Sequence, residues 1–263
     1  MKPTRLLAGL LALGAAGFAP VAAPAPAPPQ APQRILFIGN SLTYMQAMPQ
    51  LLRGLAQAGG ITIEVEQHAP GGARLVQHAT NPQVRALLGR GGWYAVVLQE
   101  QSQWPGFSDD QTRREIDPYV AQLAQLARSA PGGARTRIVL YQTPARRNGD
   151  PGNAGNIPEL GTYQGMQRRI NATYQRLAGN VSGTVVPAGT AWQMARRERP
   201  DINLYGDETH PNREGAYLIA CVFYARLWLR NPAGSSFTGG VEPRVAAALQ
   251  AIAWRAAQAE RSR

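Results

Sequence analysis

The chain has 263 residues, a formal net charge of +11, three histidines and one cysteine. That length suits one sizeable α/β domain with its own core. The lone Cys221 excludes an internal disulfide, and three histidines with neither a cysteine pair nor an H-E-x-x-H spacing give no metal centre. Lys2 is the only lysine, so the positive charge is arginine, scattered or paired as in Arg146-Arg147, and no aromatic-interleaved nucleic-acid module is expected.

Lys2 and Arg5 precede an apolar stretch from Leu6 to Ala19, and small residues continue to Ala23. A charged start, an apolar middle and a small-residue end are the layout of a secretory signal peptide over residues 1–23. The apolar stretch is short for a permanent anchor. Residues 24–33, PAPAPPQAPQ, read as an extended Pro/Ala-rich linker. The expectation is an exported protein, periplasmic or extracellular, without a stable membrane anchor, whose domain occupies 34–263.

Within that domain RILFIG (34–39) predicts a strand that stops at Gly39-Asn40-Ser41, and 48–59 predicts a helix ending at Gly59-Gly60. ITIEVEQH (61–68) alternates apolar and polar residues, as a strand near a sheet edge does. YAVVLQE (94–100) reads as a central strand. In 109–129, Ile116, Val120, Leu123 and Leu126 recur at helical spacing. TRIVLYQT (136–143) is a strand, and 161–178 a helix. GTVVPAG (183–189) is a short last strand, with a helical piece to Arg197. Residues 212–230 form a strongly apolar helix in which Cys221 is buried, and 242–258 a terminal one. Strands alternating with helices imply a parallel sheet covered on both faces. The Pro-, Gly- and Asn-rich stretch 144–160 follows a strand's carboxyl end and reads as a rim or lid loop.

A serine hydroxyl attacks only when a base takes its proton and donors meet the oxyanion. Ser41 ends the first strand. YGDETHPNREG places Asp207 three residues before His210, a spacing at which the carboxylate reaches one ring nitrogen and leaves the other free for a serine. HAPGGARL (68–75) offers the Gly72 backbone N–H. VVLQEQSQWPGF (96–107) ends a central strand in a polar cluster that can aim an amide into a site. Trp104, Phe107 and Tyr205 can stack on a sugar or pack against loops; His68 and His78 can meet substrate or support the site from behind.

Taken in order, these blocks resemble the SGNH hydrolase superfamily, also called GDSL-type esterases and lipases. Gly39-Asn40-Ser41-Leu42 matches the nucleophile block, with Asn40 where Asp is commoner. Gly72 matches the oxyanion glycine, and Asp207-Glu208-Thr209-His210 the D-x-x-H block. The third block departs: the family's Gly-x-Asn-Asp is replaced by Leu98-Gln99-Glu100-Gln101-Ser102, which is similar to that of esterases acting on acetylated sugars. The resemblance implies a three-layer α/β/α sandwich with a mainly parallel, flavodoxin-like sheet of about five strands. It implies acyl transfer through Ser41, His210 and Asp207, with an oxyanion hole from the backbone of Ser41 and Gly72 and the amide of Gln99 or Gln101, Ser102 standing by. No metal or organic cofactor is required. The expected substrate is a small-molecule or glycan ester, foremost O-acetylated carbohydrate. An O-acyltransferase and a noncatalytic glycan-binding protein of the same fold are the alternatives, and the oligomeric state is left open.

Overall fold

The computed structural model describes residues 31–262; the expected signal peptide and residues 24–30 of the expected linker lie outside them. Five strands form one parallel sheet: β1 (Gln33–Ile38), β2 (Ile63–His68), β3 (Ala95–Leu98), β4 (Arg137–Tyr141) and β5 (Thr184–Val186), in the order β2-β1-β3-β4-β5. The half-exposed β2 is an edge strand and β3 lies at the centre, as their sequence patterns predict. The three inner strands, β1, β3 and β4, carry apolar runs because helices cover both of their faces.

Among the described residues, ten α-helices connect and follow the strands. The first, α1 (Ser41–Tyr44), is one turn long; α2 (Met48–Ala58) follows. Next come α3 (Leu75–Thr80) and α4 (Pro82–Gly89), short helices in a stretch between the strands at 61–68 and 94–100 to which the sequence pattern assigns no element. The signal for α4 is Asn81-Pro82: Asn81 caps the Gln83 and Val84 N–H groups, and Pro82 opens the helix. The helix expected over 109–129 is two, α5 (Asp109–Glu115) and α6 (Asp117–Ser129), hinged at Ile116. Pro118 accounts for the break, because it has no N–H and its ring clashes with the carbonyl four residues back.

The remaining helices are α7 (Tyr163–Asn180), α8 (Ala188–Glu198), α9 (Arg213–Trp228) and α10 (Pro243–Arg261). On one side α9 packs against α2, α8 and α10; on the other α6 packs against α3, α4, α5 and α7. Apolar nearly all round, α9 is buried as such a helix must be. Its Phe223 meets Phe37 of β1 and Tyr141 of β4 edge-on, at centroid distances of 5.5 and 5.2 Å. Cys221 on the same helix is fully buried.

The chain leaves β1 towards β2 and returns on the other side of β1 to make β3. The crevice beyond the carboxyl ends of β1 and β3 is therefore the topological switch point of the sheet, where open α/β folds bind ligands. Ile38 is in register with His68 and with Leu98, so three strands end level there.

Candidate active site

Beyond those three strand ends lie the nucleophile block, the Gly-Gly loop and the polar third block. Asn40, two residues beyond β1, is extended in backbone and caps α1, its side-chain oxygen accepting the Leu42 N–H at 3.2 Å. Ser41 is thereby the first helical residue, and its own N–H has no acceptor among the described residues. Gly39 must lack a side chain, because a Cβ there would run into the Gln99 carbonyl oxygen and the Thr43 hydroxyl.

The D-x-x-H block lies just before α9. Ser41 Oγ stands 2.8 Å from His210 Nε2, and His210 Nδ1 stands 2.8 Å from Asp207 Oδ2. The other Asp207 oxygen accepts the backbone N–H groups of Thr209 and His210, both at 2.6 Å. Burial, the largest single influence, pushes the Asp207 carboxyl up, but those two N–H groups and the His210 ring together outweigh it and hold it down at about 2. An ionised Asp207 fixes the proton of His210 on Nδ1, which leaves Nε2 as the acceptor facing Ser41.

The same geometry explains the loop at 144–160. The Arg147 backbone N–H donates to the Glu208 carbonyl at 2.8 Å, and its guanidinium reaches the carbonyls of Tyr205 and Asp207 at 3.3 and 3.4 Å. The rim loop is thus tied to the loop that carries the base. Its neighbour Arg146 turns to the cleft, oriented by Gln103 Oε1 at 2.6 Å and Asp150 at 3.4 Å.

Ser41, Gly72, Gln101, Ser102, Arg146 and His210 line one cavity of about 260 Å³. Larger cavities occur, about 350 Å³ beside Arg147 and Arg196 and about 510 Å³ beside His68 and Arg90, but neither contains Ser41. Gly72 adopts φ +69°, its missing Cβ faces open space, and its N–H has no acceptor among the described residues. Gln101 Oε1 accepts the Gln103 N–H at 3.0 Å, which leaves its amide NH₂ without an acceptor at the cavity.

Gln99 requires a correction. Its side chain is fully buried behind the nucleophile turn, with Oε1 accepting the Asn40 N–H at 2.8 Å and the Thr43 hydroxyl at 2.9 Å, and its NH₂ donating to the Glu100 carbonyl. Gln99 therefore shapes the turn and does not line the cavity. β3 ends at Leu98, so the extended geometry that would put Gln99 and Gln101 on one face does not continue.

The aromatic residues pack. Phe107 and Tyr205 are buried, Tyr205 against Trp192, and the Arg74 guanidinium covers the Trp104 ring at 3.2 Å. His78 is buried behind the site with Nε2 2.8 Å from the Gly39 carbonyl and Nδ1 3.2 Å from His68 Nδ1. Three further residues at the site carry no role in the sequence reading: the Asn40 side chain, whose NH₂ donates to the Ala73 carbonyl at 2.9 Å, Glu100, and Arg146. Only Arg146 had a signal, its place in the rim loop.

No protein-family model and no curated protein matches the chain. Solved structures do. A DUF4886 family protein from Bacteroides uniformis superposes with a TM-score of 0.75 at 23% identity, over 86% of this chain and 95% of that one. A protein assigned to the SGNH hydrolases, from Slackia heliotrinireducens, gives 0.58 at 28% identity, over 74% of this chain and 98% of its own. A catalytic mutant of an acetylxylan esterase from Geobacillus stearothermophilus gives 0.53 at 17%, over 74% and 94%. By its sheet, its ordered blocks and its likeness to the Slackia protein, the chain belongs to the SGNH (GDSL-type) hydrolase superfamily.

Proposed function

We propose that this chain is an exported serine esterase that removes short acyl groups, foremost O-acetyl groups of carbohydrate. The observation that carries the chemistry is the unbroken line from Ser41 Oγ to His210 Nε2 and from His210 Nδ1 to Asp207, each link 2.8 Å, at a cavity shared with Gly72 and Gln101. His210 Nε2 takes the Ser41 proton as Ser41 Oγ attacks the ester carbonyl. Asp207 holds the ring and stabilises the imidazolium. The N–H groups of Ser41 and Gly72 and the Gln101 amide meet the oxyanion. The C–O bond to the alcohol breaks, the alcohol leaves with the proton from His210, and an acyl group remains on Ser41. Water, deprotonated by His210, attacks that acyl group; Ser41 departs and recovers its proton, and a carboxylic acid is released.

A cavity of about 260 Å³ suits an acetyl group better than a long acyl chain. Its polar rim, with Gln101 and Arg146, suits an alcohol rich in hydroxyls, and an acetylxylan esterase is among the structures that share the fold. Export rests on the layout of residues 1–23; among the described residues no helix is long and apolar enough to cross a membrane. The decisive experiment is turnover on aryl acetates, aryl esters of longer acids and acetylated xylo-oligosaccharides, with Ser41→Ala as control. Release of acetate that survives in Ser41→Ala sinks the mechanism. Acetate moved to added glycan, in place of release to water, makes the chain a transferase.

A further inference from the structure

Glu100 follows the buried Gln99 and precedes Gln101, and it is itself fully buried. Its carboxylate faces two backbone donors from different blocks. Oε1 accepts the Gln101 N–H at 2.7 Å, and Oε2 accepts the Leu75 N–H at 3.3 Å. Leu75 stands three residues after Gly72, at the start of α3. One carboxylate thus braces the loop that carries Gly72 against the residue whose amide opens to the cavity. A further tie on the Gly72 loop comes from Asn40, through the Ala73 carbonyl at 2.9 Å.

The groups that face Glu100 are few. The Arg74 guanidinium approaches from the loop before α3, shared with Glu115 at 3.4 Å, and the Tyr174 phenol from α7 accepts the Glu100 backbone N–H at 3.1 Å. An ionised carboxylate offers lone pairs to both N–H groups at once. A protonated one turns one oxygen into a hydroxyl, a donor and a much weaker acceptor, so one of the two N–H groups is held poorly.

We propose that Glu100 is a positioning residue whose ionised carboxylate holds the Gly72 and Gln101 donors in a single geometry, so that the oxyanion hole is complete only while Glu100 is ionised. This rests on the serine-esterase reading above. Burial pushes Glu100 up to about 7, against the pull of the Gln101 N–H, the Arg74 charge and the Leu75 N–H, so the brace changes state near neutral pH. The enzyme then needs two deprotonated groups, His210 and Glu100, where an ordinary triad needs one.

The test is the pH dependence of kcat and KM on one aryl acetate, in wild type and in Glu100→Gln. In wild type the acid limb of log kcat against pH steepens to a slope of about two once both groups are protonated. Glu100→Gln has a single acceptor oxygen and does not titrate. Its limb falls with a slope of about one. Its plateau kcat is lower, by up to the roughly hundredfold typical of a lost oxyanion donor, with KM nearly unchanged. A wild-type limb of slope one throughout overturns the proposal whether or not the variant folds. So does a Glu100→Gln enzyme that keeps the double slope, or one that changes KM alone. Turnover retained in Ser41→Ala counts against the serine mechanism instead, so the two failures are told apart.

Discussion

The side-chain oxygen of Gln99 stands 2.8 Å from the Asn40 backbone nitrogen, one residue before the serine. Gln99 is the piece of the third block that shapes the first, while Gln101 is the piece that reaches the cavity. The two glutamines should therefore fail differently. Gln101→Ala should keep wild-type stability and KM but lose about a hundred- to thousandfold in kcat, because the oxyanion exists only after attack. Gln99→Ala leaves the Asn40 N–H and the Thr43 hydroxyl buried without their acceptor, and each such group costs about 1–3 kcal/mol. Denaturant unfolding and steady-state kinetics on both variants separate the roles. Equal stability and equal kcat in the two would sink the assignment.

For the triad, Ser41→Ala and His210→Ala should remain folded and lose nearly all turnover. Asp207→Asn should lose up to about 10⁴-fold, since an amide at that place favours the wrong tautomer of His210. A fluorophosphonate probe should label the wild type at Ser41 and leave Ser41→Ala unlabelled. Labelling at another residue, found by mass spectrometry of the digest, would place the nucleophile elsewhere.

Much of this was legible because parallel strands buried on both faces announce themselves as apolar runs. Ile35–Ile38 and Ala95–Leu98 stand out in the sequence, and every strand expected from such runs is present. Where the sequence reading failed, it failed over local signals. Helix α3 has six residues and α4 eight, too few for a periodicity to show, and the apolar spacing across 109–129 hid the stop at Pro118. At the site, Ser41, Gly72, Asp207 and His210 were readable from residue type and order. Gln99 and Gln101 were not separable, because their difference depends on where β3 ends. Glu100 was silent for another reason: it acts on backbone N–H groups, which every residue but proline carries, so no partner residue marks it in the sequence.

His78 gives the fold an acid sensitivity. In an unfolded chain it takes its proton near pH 6.5; in the fold, burial pushes it down to about 4, although the Gly39 carbonyl pulls the other way. Below pH 6.5 the unfolded state binds the extra proton. The His78 contribution is thus whole above pH 6.5 and drains as pH falls through 4, on the order of 3 kcal/mol in all. Glu100 runs oppositely: raised from 4.5 to about 7, its contribution is whole below pH 4.5 and lost as pH rises through 7, so in the wild type it offsets most of the fall. His78→Gln keeps a donor for Gly39 and does not titrate. Relative to the wild type, its melting temperature should rise as pH falls from 7 to 4.5, so that the difference between the two proteins widens. Parallel curves for the two proteins would remove His78 from the account.

Asn40 explains why an amide stands where the family more often has a carboxylate. The residue is buried and both ends of its side chain are used: Oδ1 accepts from Leu42, and Nδ2 donates to Ala73. Asn40→Asp keeps the first bond and replaces the second with a lone pair facing a carbonyl oxygen. As an ion it adds a buried charge and frees the Gly72 loop, at a cost of about 1–3 kcal/mol and with a fall in kcat larger than any change in KM. As an acid its O–H again reaches Ala73. The new carboxyl should therefore have a raised pKa, and its proton should be held more tightly in the fold than in the unfolded chain. The stability deficit relative to wild type should be large at pH 8 and shrink towards pH 5, which urea unfolding at the two pH values measures directly. An Asn40→Asp protein as stable and as active as the wild type at pH 8 would show that the bond to Ala73 does not hold the loop.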